Sequence, residues 1–189
     1  MTRRAALAGL AAVSLACAGG GGVPGEALHD PYTEVLALGA YPPDAPWPQV
    51  TDEHTREGTL AEWSPVAREV RHPKDVLSEF VLFGRQETEP ADAAQAEVIR
   101  IAKTCSSTHS DGPSAGSEDG NDVAYAAVTC AGGSLVLLKV IRGHEALYLV
   151  RREFAHAPAS QERRAADAWL ADQVYLCPVT GGIGRCAKR

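Results

Sequence analysis

His109-Ser110-Asp111 brings together a base, a hydroxyl and an acid, the three side-chain types of a hydrolytic triad. Triad members converge in space from separate elements, and three consecutive residues cannot present that geometry. The chain also lacks the G-x-S-x-G turn that exposes a nucleophilic serine. No catalytic residue is therefore assigned. Ser117-Glu118-Asp119-Gly120-Asn121-Asp122 gathers oxygen-bearing side chains around a glycine, chemistry that a calcium ion could use. Its acids do not alternate as in an EF-hand loop, so a solvated turn is the simpler account. The six histidines, His29, His54, His72, His109, His144 and His156, are dispersed without metal-ligand spacing. His144 and His156 could still gather at one sheet end with nearby acids, as a hydrolase site of unfamiliar type would need. Arg151-Arg152, with Lys139 upstream, supplies cations either for cross-strand pairing with carboxylates or for reading an anionic polysaccharide, headgroup or protein. None of these patterns points to a metal or a cofactor.

The cysteines say more. Cys17 stands alone near the start, and Cys105, Cys130, Cys177 and Cys186 form an even set. No CxxC or HxxxH spacing occurs, which argues against zinc. In an oxidising compartment four cysteines form two disulfides, with three connectivities available. Cys105 with Cys130 and Cys177 with Cys186 each close a modest loop and are the favoured pairs, with crossed pairs still open. Each closure is worth on the order of 3 kcal/mol.

The start of the chain bears on the compartment. Met1-Thr2-Arg3-Arg4 is followed by an uncharged run from Ala5 to Ala16 built from Ala, Leu, Gly, Val and Ser. A basic start, a short apolar stretch and small residues after it are the parts of a secretory signal peptide. The run falls short of the roughly 20 apolar residues a spanning helix requires. Val13-Ser14-Leu15-Ala16-Cys17 resembles the lipobox of bacterial lipoproteins, with Ser14 standing where leucine is usual. The resemblance implies that Cys17 is lipidated and anchors the protein to a membrane of the cell envelope. Gly19 to Gly22 then provide a flexible tether. The same residues contain Ala16-Cys17-Ala18, an A-x-A site whose cleavage would release a soluble periplasmic or secreted protein, and both cuts stay open. Arg3-Arg4 also suggests a twin-arginine signal, although Ala5-Ala6 follows in place of a bulky apolar pair.

Three stretches result: a signal peptide over 1–17, a Gly/Pro-rich tether over 18–58 with at most one short ordered piece near Tyr32 to Leu38, and one domain over 59–189. About 170 of the 189 residues follow the leader, enough for one ordinary domain. The net charge is −6 and no run of five basic residues occurs, which argues against nucleic acid as a partner. Leu77 to Gly84 predicts a strand. Ala94, Val98, Ile101, Ala102 and Cys105 recur at helical spacing and predict an amphipathic helix entered through Thr88 to Asp92, with Cys105 on its apolar face. Ser106 to Asp122 reads as a loop. Val123–Thr129, Leu135–Arg142 and Ala146–Phe154, joined by short glycine-bearing turns, predict an antiparallel meander whose middle strand is apolar on both faces and covered on both. Ala166, Trp169, Leu170 and Val174 predict a second helix over Gln161 to Tyr175, capped by Ser160, and an irregular tail follows.

The expected fold is α+β: an antiparallel sheet of about four strands with two packing helices, stapled by disulfides. The expected function is that of a non-enzymatic envelope lipoprotein that binds or supports an envelope protein or glycan. The alternatives are a secreted hydrolase with an unrecognised site and a small inhibitor or immunity-type protein.

Overall fold

Apolar strands flanked by polar ones, with two helices each apolar along one stripe, make a layered molecule in which a sheet is covered from both sides. The computed structural model describes residues 34–39, 47–65 and 75–178, with backbone alone at 107 and 108. All of them belong to the unit Tyr32–Arg189. In chain order the elements are β1 (Glu34–Leu38), β2 (Gln49–His54), β3 (Gly58–Trp63), β4 (Val76–Phe83), α1 (Pro90–Cys105), β5 (Ser107–Glu118), β6 (Asn121–Cys130), β7 (Leu135–Arg142), β8 (Ala146–Phe154), α2 (Ser160–Gln173) and β9 (Val174–Pro178). Seven strands form one antiparallel sheet in the order β2-β3-β4-β8-β7-β6-β5, and β1 pairs with β9 in a separate two-stranded ribbon.

The expected α+β fold with about four strands is therefore corrected: the described residues are mostly β, with nine strands and two helices. The strand near Leu77, the β6-β7-β8 meander and both helices lie where periodicity puts them. β5 was expected as a loop because Ser107–Glu118 holds almost no apolar residue. It lies at the sheet edge with most of its side chains in solvent, so it needs none. β1 lies where the one short ordered piece near Tyr32 to Leu38 was expected, β2 falls inside the rest of the 18–58 stretch read as tether, and β9 follows directly on α2 where a longer helix was expected. Helix α2 begins at Ser160, with Ala159 rather than Ser160 in the cap position.

Side-chain alternation divides the core in two. On one face Val123, Leu137, Ile141, Tyr148 and Val150 meet Ala166, Trp169 and Leu170 of α2 and Val174 of β9, and Leu36, Leu38 and Leu176 of the ribbon pack against them. On the other, Ala124, Val128, Val136, Leu138, Val140 and Leu149 meet Ala94, Val98 and Ile101 of α1. β7, between the two layers, buries seven of its eight residues, which explains why its sequence is apolar on both faces. Each fully buried Leu or Val is worth about 1.5–3 kcal/mol in removal from water.

A disulfide joins Cys105, the last residue of α1, to Cys130, the last of β6. It fastens helix to sheet and closes the base of the β5–β6 hairpin, whose first register pair is Ser107 opposite Cys130. Cys177 on β9 is disulfide-bonded to a cysteine outside the described residues. Cys17, Cys186, the 1–17 stretch read as a signal peptide and the tail beyond Pro178 also lie outside them.

Candidate functional site

A lysine in the middle of β7 should be unfavourable, because an ammonium loses its hydration when buried. Lys139 is nonetheless fully buried, and its surroundings show why it is tolerated. Its Nζ donates to Glu118 Oε2 at 2.6 Å and to the carbonyls of Val174 at 2.8 Å, Leu170 at 2.9 Å and Ala171 at 3.3 Å. Those carbonyls are the ones left without intrahelical partners at the end of α2, where the helix dipole also favours a cation. Lys139 thus caps α2 from beneath. Burial pulls the ammonium pKa down, and the bond to Glu118 opposes it. Tyr125 Oη donates to Glu118 Oε1 at 2.5 Å, and burial first, then that bond, push the phenol well above its ordinary range.

Above this network lies a cleft of about 490 Å³ between the β5–β6 hairpin and α2. Ala127, Leu137, Leu170 and Ala171 make its apolar lining, and Asp111, Gly112, Ser114, Tyr125 and Asp167 complete it with Ala126 and Leu138, whose side chains belong to the layer on α1. Its volume lies within the usual range for small-molecule sites. Small side chains on β6 and α2 leave the space, and an irregular β5 opens the mouth. The β5–β6 register slips between Asp111 and Ser114, a bulge of the kind that re-aims side chains beside sites. Gly112 sits there with φ +91°, and a Cβ at this position would come within 2.7 Å of the Tyr125 carbonyl, so only glycine fits. At the rim Asp111 Oδ1 lies 2.7 Å from His109 Nε2, and this neighbour, with Arg163 further off, holds the Asp111 carboxyl below the usual carboxylate range.

His109 and Asp111 are brought together, while Ser110 pairs opposite Val128 and so falls on the other face of the strand. The Ser117–Asp122 stretch is a tight turn with Asp119 at φ 53° and Gly120 at φ 83°, as a two-residue hairpin connection requires. Its oxygens are engaged within the protein, Glu118 as above and Asp122 with Arg142 Nη2. Among the described residues no group of three or more His, Cys, Asp and Glu is placed to hold a metal ion. His144 and His156 are not gathered: one lies in the β7–β8 turn and the other beyond β8, separated by about 30 Å at the rise of a strand. Nor do the three cations make a patch. Lys139 and Arg152 face the α2 side, where Arg152 lies against Trp47, Phe154 and Asp75, while Arg151 faces the α1 side among Glu97 at 3.1 Å, Glu153 at 2.7 Å and Glu62 at 4.0 Å.

The cleft was missed because its outer wall, Asp111, Gly112 and Ser114 on β5, reads as a loop, while its other lining residues lie on β6, β7 and α2 where periodicity puts them. One signal was present: Asp119-Gly120 is among the strongest short hairpin signatures. It counts for less without the flanking apolar alternation that an edge strand can dispense with. No protein-family model matches the chain, and no curated protein matches it either.

Proposed function

We propose that the protein is an envelope lipoprotein, anchored to the membrane through lipidated Cys17, that works as a binding module and takes an envelope component in the cleft between the β5–β6 hairpin and α2. The cleft carries the reading: about 490 Å³ with an apolar floor, a polar rim and a mouth on an outer edge of the sheet. Such a combination suits recognition, since apolar area supplies affinity and a few placed polar groups supply orientation. Export is supported by the Cys105–Cys130 bridge, a linkage that persists in oxidising compartments and is rare in the cytosol. The partner sought is an envelope protein or glycan.

Two measurements test the two halves. Palmitate labelling of the chain in a bacterial host should appear with Cys17 and vanish in Cys17→Ser, and equal labelling of both would remove the anchor. Titration of the ¹⁵N-labelled protein with solubilised cell-wall fragments should move the amides of Gly112, Ser114, Ala127 and Ala171. Ala171→Leu, which adds bulk at the exposed helical wall of the cleft, should abolish those shifts. Shifts confined to other surfaces would defeat the cleft as the site.

A further inference from the structure

Carboxylates outnumber cations around the cleft. Asp111 on β5 and Asp167 on α2 line it from different elements. Glu118, Asp119 and Asp172 act electrostatically on Lys139 and Tyr125 beneath. Against these five stand two permanent cations among the described residues there. Lys139 is committed to Glu118 and the end of α2. Arg163 stands at the mouth, with Nη2 3.6 Å from Asp111 Oδ2 and Nε 3.7 Å from Asp167 Oδ2. It therefore spans the two walls, yet both separations exceed the roughly 2.8 Å of a charge-assisted hydrogen bond. The guanidinium holds its place between the carboxylates by weak, solvent-screened attraction, being 42% exposed.

Building on the reading that the cleft binds a ligand, we propose that it takes a primary alkylammonium group of the lysine side-chain type, and that Arg163 is an internal cation which the ligand displaces. The methylene stem would lie on Ala127, Leu137 and Leu170, and the ammonium would come between Asp111 and Asp167. The charge pattern and the floor favour this class together. An anion would meet two carboxylates, and a bare metal ion would leave the apolar lining unused. An ammonium is smaller than a guanidinium and carries three rotatable donors, so it can approach both acids more closely.

The test is a ¹⁵N–¹H titration of the purified chain with pentylamine, pentanol and pentanoate. Pentylamine should shift the amides of Gly112, Ser114, Ala127 and Ala171 and bind about tenfold tighter than pentanol, with pentanoate weakest. Asp111→Asn with Asp167→Asn should erase the advantage of the amine over the alcohol. Arg163→Ala should tighten amine binding about threefold, the scale of one screened ion pair, and leave pentanol unchanged. Equal binding of amine and alcohol, or weaker amine binding in Arg163→Ala, would overturn the ammonium inference while the cleft kept its role as a binding site. If none of the three compounds moved the cleft amides, the cleft reading would fall as well.

Discussion

Lys139 and Arg151 stand on adjacent strands, β7 and β8, and point to opposite faces of the same sheet, where each places a positive charge at an apolar layer. The two are accommodated differently. Lys139 is sealed from solvent and answered by one carboxylate and three carbonyls at the end of α2. Arg151 keeps 12% of its side chain exposed and is answered by the carboxylates of Glu97, Glu153 and Glu62 and by the ring of Phe80 at 5.4 Å. Arg151 also helps to line a groove of about 370 Å³ between α1 and the outer strands, so water reaches its partners. One cation closes a helix and supports the floor of the cleft. The other neutralises acids at an open margin. Depth, more than the number of partners, should decide what each is worth.

The largest effect should therefore follow removal of the lysine. Lys139→Met keeps the apolar stem but leaves Glu118 without its cation and the last carbonyls of α2 without a donor. Glu118 is 35% exposed and keeps the Tyr125 hydroxyl, so the cost lies in the carbonyls left without a donor at about 1–3 kcal/mol for each buried one, and we expect about 3 kcal/mol here. Urea unfolding of wild type and variant should show it as a lowered midpoint at unchanged slope, and the loss should depend little on added salt, because three of the four partners of the ammonium are carbonyls and only Glu118, 35% exposed, is open to screening. A loss below about 1 kcal/mol would mean that α2 ends equally well without the cap.

The cost of Lys139 was half legible in the chain. A charge inside Leu135-Val136-Leu137-Leu138-Lys139-Val140-Ile141 demands a polar answer in an otherwise apolar layer, but nothing in the order of residues names Glu118 as that answer. Glu118 lies at the end of β5, a strand that composition hid. The same contrast holds for the fold. The meander and both helices bury one face or both, so their periods are written in Leu, Val, Ala and Ile. β2 and β5 are edge strands facing solvent, and the ladder that defines them consists of backbone groups that sequence does not reveal. β1 and β9 define each other across a separation no local pattern could report. The cleft was invisible for the same reason, since its outer wall is β5.

Glu79 extends the comparison to a carboxyl with no cation answering it among the described residues. It stands on β4 opposite Ala61 and Val150, and burial, unopposed by any cation among the described residues, raises its carboxyl to about 7. In the unfolded chain the ordinary value near 4.5 applies, so between these two values folding takes up a proton. The resulting penalty is absent below about pH 4.5, grows as pH rises toward 7 and is complete above it. Glu79→Gln should remove the penalty. The full shift corresponds to about 3 kcal/mol, and allowing for the solvent that still touches the group we expect about 2 kcal/mol. Unfolding free energies should coincide for the two proteins at pH 4 and diverge in favour of the glutamine variant by pH 8. A variant that is less stable at pH 8 would mean that the carboxylate has a partner in solution.

The smallest effect should come from Arg151→Met, and it sharpens the contrast with Lys139 most directly. The methionine stem can still pack on Phe80, so the change removes charge with little loss of apolar contact. Glu97 keeps Arg100, which holds it through Nε at 2.6 Å, while Glu153 and Glu62 are 34% and 24% exposed at their side chains and regain water. No acid is then left both buried and unpaired, so the expected loss is about 1 kcal/mol, near the upper end for exposed pairs. Unlike the lysine, this loss should shrink as salt is raised toward 1 M, where the Debye length falls to about 3 Å and the wild-type pairs are themselves screened. A loss at Arg151 as large as that at Lys139 and equally indifferent to salt would show that the groove beside α1 is closed in solution, and with that the distinction between a sealed cap and an open margin would disappear.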